Sequence, residues 1–477
     1  MSQSKDTQLH NKDDNVITKA FVNSIVAAIV SCAWAWQASA QQFGAGAYMP
    51  LVPGTAWVYL SGTGTVVRQV APSLIPIGGV LTTPVQASFG DIDYFTNDQN
   101  GLRWHAQLSL SAPGTVVFTP FRFVAATFSV GDSYLSSGTI SLNGQPAGTY
   151  SGSSFVAGVE TITVPAGRFQ TIRVQRSISM FFSNGTSGSD NSTFWVAENI
   201  GPVQMNFSSN VLGSGFHQLV SSNRLPALAS AVLPASRSAR VGAPVTAFAT
   251  IINAGPSNAT RCGIQLGSSI AAILNYQTTD PATNIVTGTL NTPVDIAVGQ
   301  AQSFVVALTP TSPINPTDVQ FSFDCENSPA SGVLLGINTL LLSASATDTP
   351  DVIALAATLS NDGIVNVPGT VGIGAFAVAS ANVGSSEAIT VSADTGSTTL
   401  PVTLSLCETV PSTGQCQQPP AGSVSTTINS GGTPTFAVFV QGNSGVAFNP
   451  AANRIYLRFR DSTGVVRGAT SVAVRTL

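Results

Sequence analysis

The sequence predicts an all-β protein, and three observations carry that reading. Short alternating or β-branched runs, such as Val116-Val117-Phe118, Thr161-Ile162-Thr163-Val164 and Ile455-Tyr456-Leu457-Arg458-Phe459, recur along the chain between Gly, Pro, Asn, Asp or Ser clusters. Beyond residue 40 no long segment keeps a 3.6-residue apolar period with good helix formers; lysine is absent there and glutamate scarce, so little remains for the polar face of a helix. The second half also repeats itself in strand-sized pieces.

Composition bounds the rest. Only 8% of the 477 residues are charged, against roughly a quarter in an ordinary soluble domain, while 43% are hydrophobic. The chain therefore has enough apolar side chains to build cores, and its length suits about three domains. With 18 basic and 22 acidic residues the net charge is −4, which excludes the basic footprint of a nucleic-acid binder.

In chain order, the first element is an export signal over residues 1–40. Lys19 precedes an apolar run from Ala20 to Trp36, and Ala38-Ser39-Ala40 supplies the small-x-small pattern of a cleavage site before Gln41. The run is shorter than the ~20 residues a membrane span prefers. An alternative is a lipid anchor, because Ile29-Val30-Ser31-Cys32 resembles a bacterial lipobox. The expected destination is the periplasm, the cell surface or the extracellular space. All the lysines, Lys5, Lys12 and Lys19, lie in this segment, so the mature chain is excluded from Schiff-base and Walker-lysine chemistry. It holds no further stretch long and apolar enough for a transmembrane helix.

Removing Cys32 leaves four cysteines, an even number that in an exported chain reads as disulfides. Three connectivities are open. Cys407 and Cys416 flank a loop containing Pro411 and Gly414 that a bridge can close, and Cys262 and Cys325 then pair across a longer loop. A metal reading lacks a nearby histidine or third cysteine.

A duplication organises the second half. Val245 to Gly255 matches Ile373 to Gly384, each a strand ending in an Asn-x-Gly turn. Ser303-Phe304-Val305-Val306 matches Thr435-Phe436-Ala437-Val438, Asn315-Pro316 matches Asn449-Pro450, and Val319 to Phe323 matches Ile455 to Phe459. The order is the same in both copies, which sets two sandwich-sized units at 225–345 and 346–477. Through these motifs, and through Leu404 to Glu408 and Asn453 to Phe459, the units resemble bacterial immunoglobulin-like domains of the CARDB-like type. The resemblance implies two immunoglobulin-like β-sandwiches with a spacer or adhesion role.

The first domain, 41–222, holds Trp57, Trp104 and Trp195 and three motifs. Pro50-Leu51-Val52-Pro53-Gly54-Thr55-Ala56-Trp57 opens it, Val164-Pro165-Ala166-Gly167-Arg168-Phe169 follows, and Trp195 with Ile200-Gly201-Pro202-Val203 closes it. Together they resemble the TapB-like or DUF3108-like group of secreted β-domains. That resemblance implies a curved antiparallel sheet able to cup an apolar interior, and it brings no catalytic residues.

Chemistry is sparse. The mature chain has two histidines, His105 and His217; His105 sits in the alternating strand Leu102 to Leu108 and reads as a hydrogen-bonded strand residue rather than a general base. No nucleophile elbow, paired-histidine zinc helix or phosphate loop occurs. Asp91, Asp93 and Asp98 with Asn97 and Asn100 form the acidic cluster, which offers oxygens to calcium but reads better as a hairpin turn at Asp98 to Gly101. Glu160 and Glu198 are isolated. No catalytic, cofactor or metal residue is therefore expected, and the site residues named are the disulfide cysteines Cys262, Cys325, Cys407 and Cys416.

The reading is a non-enzymatic envelope or secreted protein whose sandwiches present the first domain to other envelope or extracellular proteins or surfaces, with no nucleic-acid partner. A carrier holding an apolar ligand in the first domain is the alternative, and a carboxylate-based hydrolase a third. A cavity in the first domain favours the carrier and a filled core the spacer.

Overall fold

The structure is a computed structural model that describes residues 41–477 except 63, 110–113 and 212. The expected signal segment, and with it Cys32, lies outside the described residues. The protein is all-β, as the alternation predicts.

The first domain runs β1 (Gln42–Gly44), a short helix (Ala45–Tyr48), β2 (Ala56–Ser61), β3 (Gly64–Val70), β4 (Ile75–Ile77), β5 (Val80–Ala87), β6 (Ile92–Asp98), β7 (Gly101–Ser109), β8 (Gly114–Val124), β9 (Thr127–Ser129), β10 (Ser133–Leu142), β11 (Gln145–Val164), β12 (Gly167–Phe182), β13 (Ser187–Ala197), β14 (Gly201–Ser209) and β15 (Gly213–Ser222). The sheet order is β3-β2-β15-β14-β13-β12-β11-β10-β8-β7-β6-β5-β4, and β3 also pairs with β5. The expected curved sheet therefore closes into a barrel. The seam is short: Arg68, Gln69 and Val70 face Ala87, Gln86 and Val85. Closure removes the open edges that a curved sheet would expose.

The three motifs of this domain converge. Trp57 on β2 donates its indole N–H to the Ile200 carbonyl at 2.6 Å, and the Tyr59 hydroxyl donates to the Pro202 carbonyl at 2.8 Å. Trp195 donates to Glu160 Oε1 at 2.6 Å. The Pro165-Ala166 turn joins β11 to β12, and its Gly167 has φ +135°, where a Cβ would stand 2.6 Å from the Glu326 carbonyl. Only glycine lets this hairpin lie so close to the first sandwich, residues 225–345. There Arg168 N–H donates to that carbonyl at 2.6 Å, while the Arg168 and Arg261 guanidiniums both reach Glu326 Oε1.

The next strands are β16 (Leu228–Leu233), β17 (Ser236–Arg240), β18 (Val245–Asn253), β19 (Ala259–Leu266), β20 (Ala272–Thr279), β21 (Val294–Ile296), β22 (Ala301–Pro310), β23 (Ile314–Asp324) and β24 (Thr339–Ser345). They form sheets β16-β18-β22-β20 and β17-β24-β23-β19-β21. The last nine are β25 (Val352–Thr358), β26 (Ile364–Val367), β27 (Ile373–Asn382), β28 (Glu387–Asp394), β29 (Val402–Thr409), β30 (Ser423–Ile428), β31 (Thr435–Gly442), β32 (Arg454–Arg460) and β33 (Val466–Thr476), in sheets β25-β27-β31-β29 and β26-β33-β32-β28-β30. Advancing every label of the first set by nine reproduces the second. The parallel pairs β17–β24 and β26–β33 match too. Each unit is a four-on-five sandwich around one apolar core, with Phe304, Phe321 and Phe323 in the first and Phe376, Phe436 and Phe459 in the second.

The repeated Asn-x-Gly has a physical role. Asn253 is fully buried; its Oδ1 accepts from Gly255 N–H, and its Nδ2 donates to the Ser257 and Ile296 carbonyls. Asn382 does the same with Gly384 N–H and the Ser385 and Ile428 carbonyls. One side chain thus holds its own turn and ties β18 or β27 to the opposite sheet, satisfying backbone groups that would otherwise be buried unpaired.

The structure pairs Cys262 with Cys325, 63 residues apart, and Cys407 with Cys416, nine apart. These are the pairs the loop lengths suggested. Cys262 lies on β19 and Cys325 just beyond β23, its neighbour in the sheet.

Candidate functional site

The barrel interior is not filled. A cavity of about 360 Å3 lies among β3, β6, β7, β8 and β12–β15 and is rimmed by the turn after β5. Aromatic side chains from these strands, which the sequence favours as a filled core, instead wall it, and its middle carries charge. Arg176 on β12 is bonded to Asp190 on β13, with Nη2 at 2.7 Å and Nε at 3.1 Å from Oδ1, and Nη2 also donates to Ser192 Oγ. The guanidinium lies 4.9 Å from the Trp104 ring and 5.3 and 5.5 Å from Phe123 and Phe194. Aromatic faces and a carboxylate together make a buried cation tolerable. A second pair joins Arg68 Nη2 on β3 to Asp93 Oδ2 on β6 at 3.0 Å, and Trp104 Nε1 donates to the other oxygen at 3.2 Å. Burial pushes the Asp93 carboxyl up, against the pull of Arg68, Arg176 and that indole N–H.

Several polar atoms of the lining residues have no hydrogen-bond partner. Arg68 Nε, Gln107 Oε1 and His217 Nδ1 are buried and unsatisfied, and His217 is only 6% exposed. These atoms have almost no accessible surface, so they lie behind the cavity wall, and each costs about 1–3 kcal/mol when left unmade.

Beneath this vestibule lies a smaller apolar cavity of about 70 Å3 that shares Arg68, Phe95, Phe123, Phe194 and Met205 with it. The helix Ala45–Tyr48 contributes Ala45 and Tyr48 to its lining. Asn97 holds that segment down, donating from Nδ2 to the Ala45 and Met49 carbonyls at 3.1 and 3.2 Å, and Asn199 N–H donates to the Ala47 carbonyl at 2.7 Å. One end of the barrel is thus covered by the chain's own N-terminal segment.

The sequence-selected polar residues fall in different places. His105 Nε2 is 2.9 Å from Thr96 Oγ1, both are buried, and neither lines the vestibule. The acidic cluster does not gather: Asp93 is held by Arg68 and Trp104, Asp98 accepts from Asn100 N–H and Arg103 in the β6–β7 turn, and Asn97 serves the N-terminal segment. Among the described residues no group of three or more His, Cys, Asp or Glu is placed to hold a metal. Trp57 and Trp104 are buried, whereas Trp195 is half-buried. Glu160 takes the Trp195 N–H and lies 3.5 Å from Arg173. Arg68, Gln107, Arg176, Asp190 and His217 were not marked by any motif. One signal was present: in a chain with 8% charged residues, an arginine or aspartate inside an alternating strand, such as Asp190 in Ser187–Ala197, is unusual enough to follow.

His217 offers a pH test. Burial first, and then the Arg68 charge, lower its pKa from 6.5 to about 4, so the folded barrel keeps it neutral at pH 7. The unfolded chain protonates it near 6.5, so the unfolded state binds the extra proton between pH 6.5 and 4, and stability falls as pH drops through that window. The tryptophan-fluorescence melting temperature is expected to fall from pH 7 to pH 4.5, and His217→Phe should remove that component. Identical pH profiles for the two proteins would show the imidazole is not the group responsible.

No protein-family model and no curated protein matches the chain, so its CARDB-like and TapB-like or DUF3108-like resemblances rest on the residues alone. Solved structures do match in part. A putative lipoprotein from Parabacteroides distasonis is 14% identical and covers 37% of this chain and 97% of its own, with a TM-score of 0.21. The hypothetical lipoprotein YmcC from Escherichia coli is 13% identical over 36% of this chain and 85% of its own, with a TM-score of 0.24. A protein of unknown function from Porphyromonas gingivalis is 12% identical over 52% of this chain and 98% of its own, with a TM-score of 0.19. Likeness at that level carries no argument about function. No helix among the described residues is long and apolar enough to cross a membrane.

Proposed function

We propose that this is an exported, non-enzymatic binding protein of the bacterial envelope, in which the barrel holds a small ligand and two immunoglobulin-like sandwiches form the spacer that presents it. The observation that carries the reading is the aromatic-walled vestibule of about 360 Å3 with the ion pairs Arg68–Asp93 and Arg176–Asp190 in its lining. Its size is in the range of small-molecule sites, ~300–1,000 Å3. A cavity of this kind favours the carrier reading over a barrel that is only a packed module. Export is supported by the Ala38-Ser39-Ala40 pattern and by cysteines that pair within the chain.

The spacer reading rests on how the units join. Arg237 of the first sandwich is bonded to Asp351 at the head of the second, with Nε and Nη2 at 3.0 and 2.8 Å from Oδ2, while Ser238 N–H donates to Oδ1. Ser236 Oγ exchanges hydrogen bonds with the Ala469 backbone. A joint made of buried, directional bonds transmits orientation, where a flexible linker would not.

Native mass spectrometry of the protein secreted by its bacterial host tests the reading. A co-purifying small molecule is expected, and Gln107→Trp, which puts an indole into the vestibule, should remove it without unfolding the barrel. A wild-type spectrum with the bare mass, from protein never exposed to denaturant, would overturn the binding role.

A further inference from the structure

The outer wall of the barrel carries a second feature. Along β10–β14 alternate side chains point away from the core, and most of these outward positions are polar and uncharged. Read across β11 to β14 in register, Ser153, Ser177, Asn191 and Ser208 form one row. Two shallow grooves of about 460 and 470 Å3 run beside it, and because both are lined by Ser153 and Ser177 they form one channel. Ser, Thr, Asn and Gln dominate its lining. The one charged residue bordering it is Arg176, whose guanidinium is bonded to Asp190 in the vestibule. Among the described residues, none of the four side chains of the row has a hydrogen-bond partner within the protein. Ser177, Asn191 and Ser208 are exposed, and Ser153 is half-buried.

This chemistry selects its ligand. With no free charge in the channel, a phosphate backbone or an ionic polymer finds nothing to pair with. Serine is depleted at protein–protein interfaces, so a serine-lined wall suits a protein partner poorly. Hydroxyls and primary amides both donate and accept, and neighbours along the row match the adjacent hydroxyls of a sugar ring. Phe155 and Leu135, 41% and 85% exposed at the channel, offer apolar surface to the C–H side of such a ring. The row crosses three strand spacings of ~4.8 Å, about 14 Å, which suits a run of sugar units rather than one. Short side chains held on paired strands also lose little freedom when a chain lies on them.

We propose that this channel on the outer wall of the barrel binds a neutral polysaccharide chain. It is a site separate from the vestibule, and it stands or falls independently of the binding function put forward above.

Affinity electrophoresis of the full chain in native gels containing dextran, laminarin or hydroxyethylcellulose tests it, with carboxymethylcellulose as the charged counterpart. At least one neutral polymer is expected to retard the protein, and carboxymethylcellulose to act at least about 10-fold more weakly. Ser177→Glu and Asn191→Glu each put a carboxylate into the exposed row and should each weaken the retardation about 10-fold or more. Thr161→Glu puts the same charge at an exposed position of β11 outside the channel and should change nothing. Gln107→Trp, which fills the vestibule, should also leave it unchanged. Tryptophan-fluorescence melting of each variant checks that the barrel is folded. Retardation by none of the neutral polymers would overturn the proposal, as would retardation by carboxymethylcellulose alone. Retardation lost in Gln107→Trp but kept in both row variants would overturn it too, since the sugar would then occupy the vestibule.

Discussion

Trp57→Ala is expected to cost the barrel about 3–5 kcal/mol, as deletion of a fully buried large aromatic does. The ring is 1% exposed, packs beside Gly201 and Pro50, and donates to the Ile200 carbonyl at 2.6 Å. The substitution leaves a cavity and an unpaired carbonyl at the point where β2 joins the closing strands. The barrel's melting temperature should fall on the order of 10 °C. Tryptophan fluorescence isolates that transition, because beyond residue 40 every tryptophan lies in the barrel. Trp195→Ala should cost clearly less, since its ring is half-buried and its N–H goes to the partly exposed Glu160. Equal losses at the two positions would mean that Trp57 is no more central than Trp195.

Asp351→Ala should be comparably damaging, by a different route. Its carboxylate receives the Arg237 guanidinium and the Ser238 N–H, and the two side chains are 11% and 5% exposed for arginine and aspartate. Removing the acid leaves a buried cation unpaired, which costs about 3–5 kcal/mol. The double variant Arg237→Met with Asp351→Leu should recover most of that loss, because it removes both charges and keeps the volume. Urea midpoints followed by far-UV circular dichroism make the comparison. A single variant as stable as the wild type would show that the joint between the sandwiches is wet and its charges screened.

The sequence and the structure agree most where the information is local. Alternation within a strand sets which face is buried, so Val319-Gln320-Phe321-Ser322-Phe323 and its counterpart on β32 could be read directly, and both bury their apolar positions. The duplicated order of such segments made the two sandwiches legible, and Asn253 and Asn382 stood out because one side chain performs the same three hydrogen bonds in both. Barrel closure left no comparable mark. The pairing of Trp57 with Ser222 and of Ser61 with His217 joins segments that share no pattern, and hydrophobic periodicity says nothing about which strand finds which. The vestibule was hidden for a related reason. A list of aromatics favours a filled core over a cup, and the buried pairs Arg68–Asp93 and Arg176–Asp190 are made between strands. His217 carries no motif in the sequence, and its place in the barrel follows from the pairing of β14 with β15.

The pairing of β2 with β15 also governs time. Most ladders of the barrel connect chain neighbours: β6 with β7, β10 with β11, β11 with β12, β12 with β13. These hairpins need only short loops closed and can form as soon as they are made. The β2–β3 hairpin is different, since its partner on one side is the last strand of the domain, and loops that long must be ordered before their contacts reward it. The ring is therefore completed late, when β15 arrives, and the apolar edges of β2 and β15 stay uncovered until then. During that interval the scarcity of charge leaves little electrostatic repulsion to keep neighbouring unclosed chains apart.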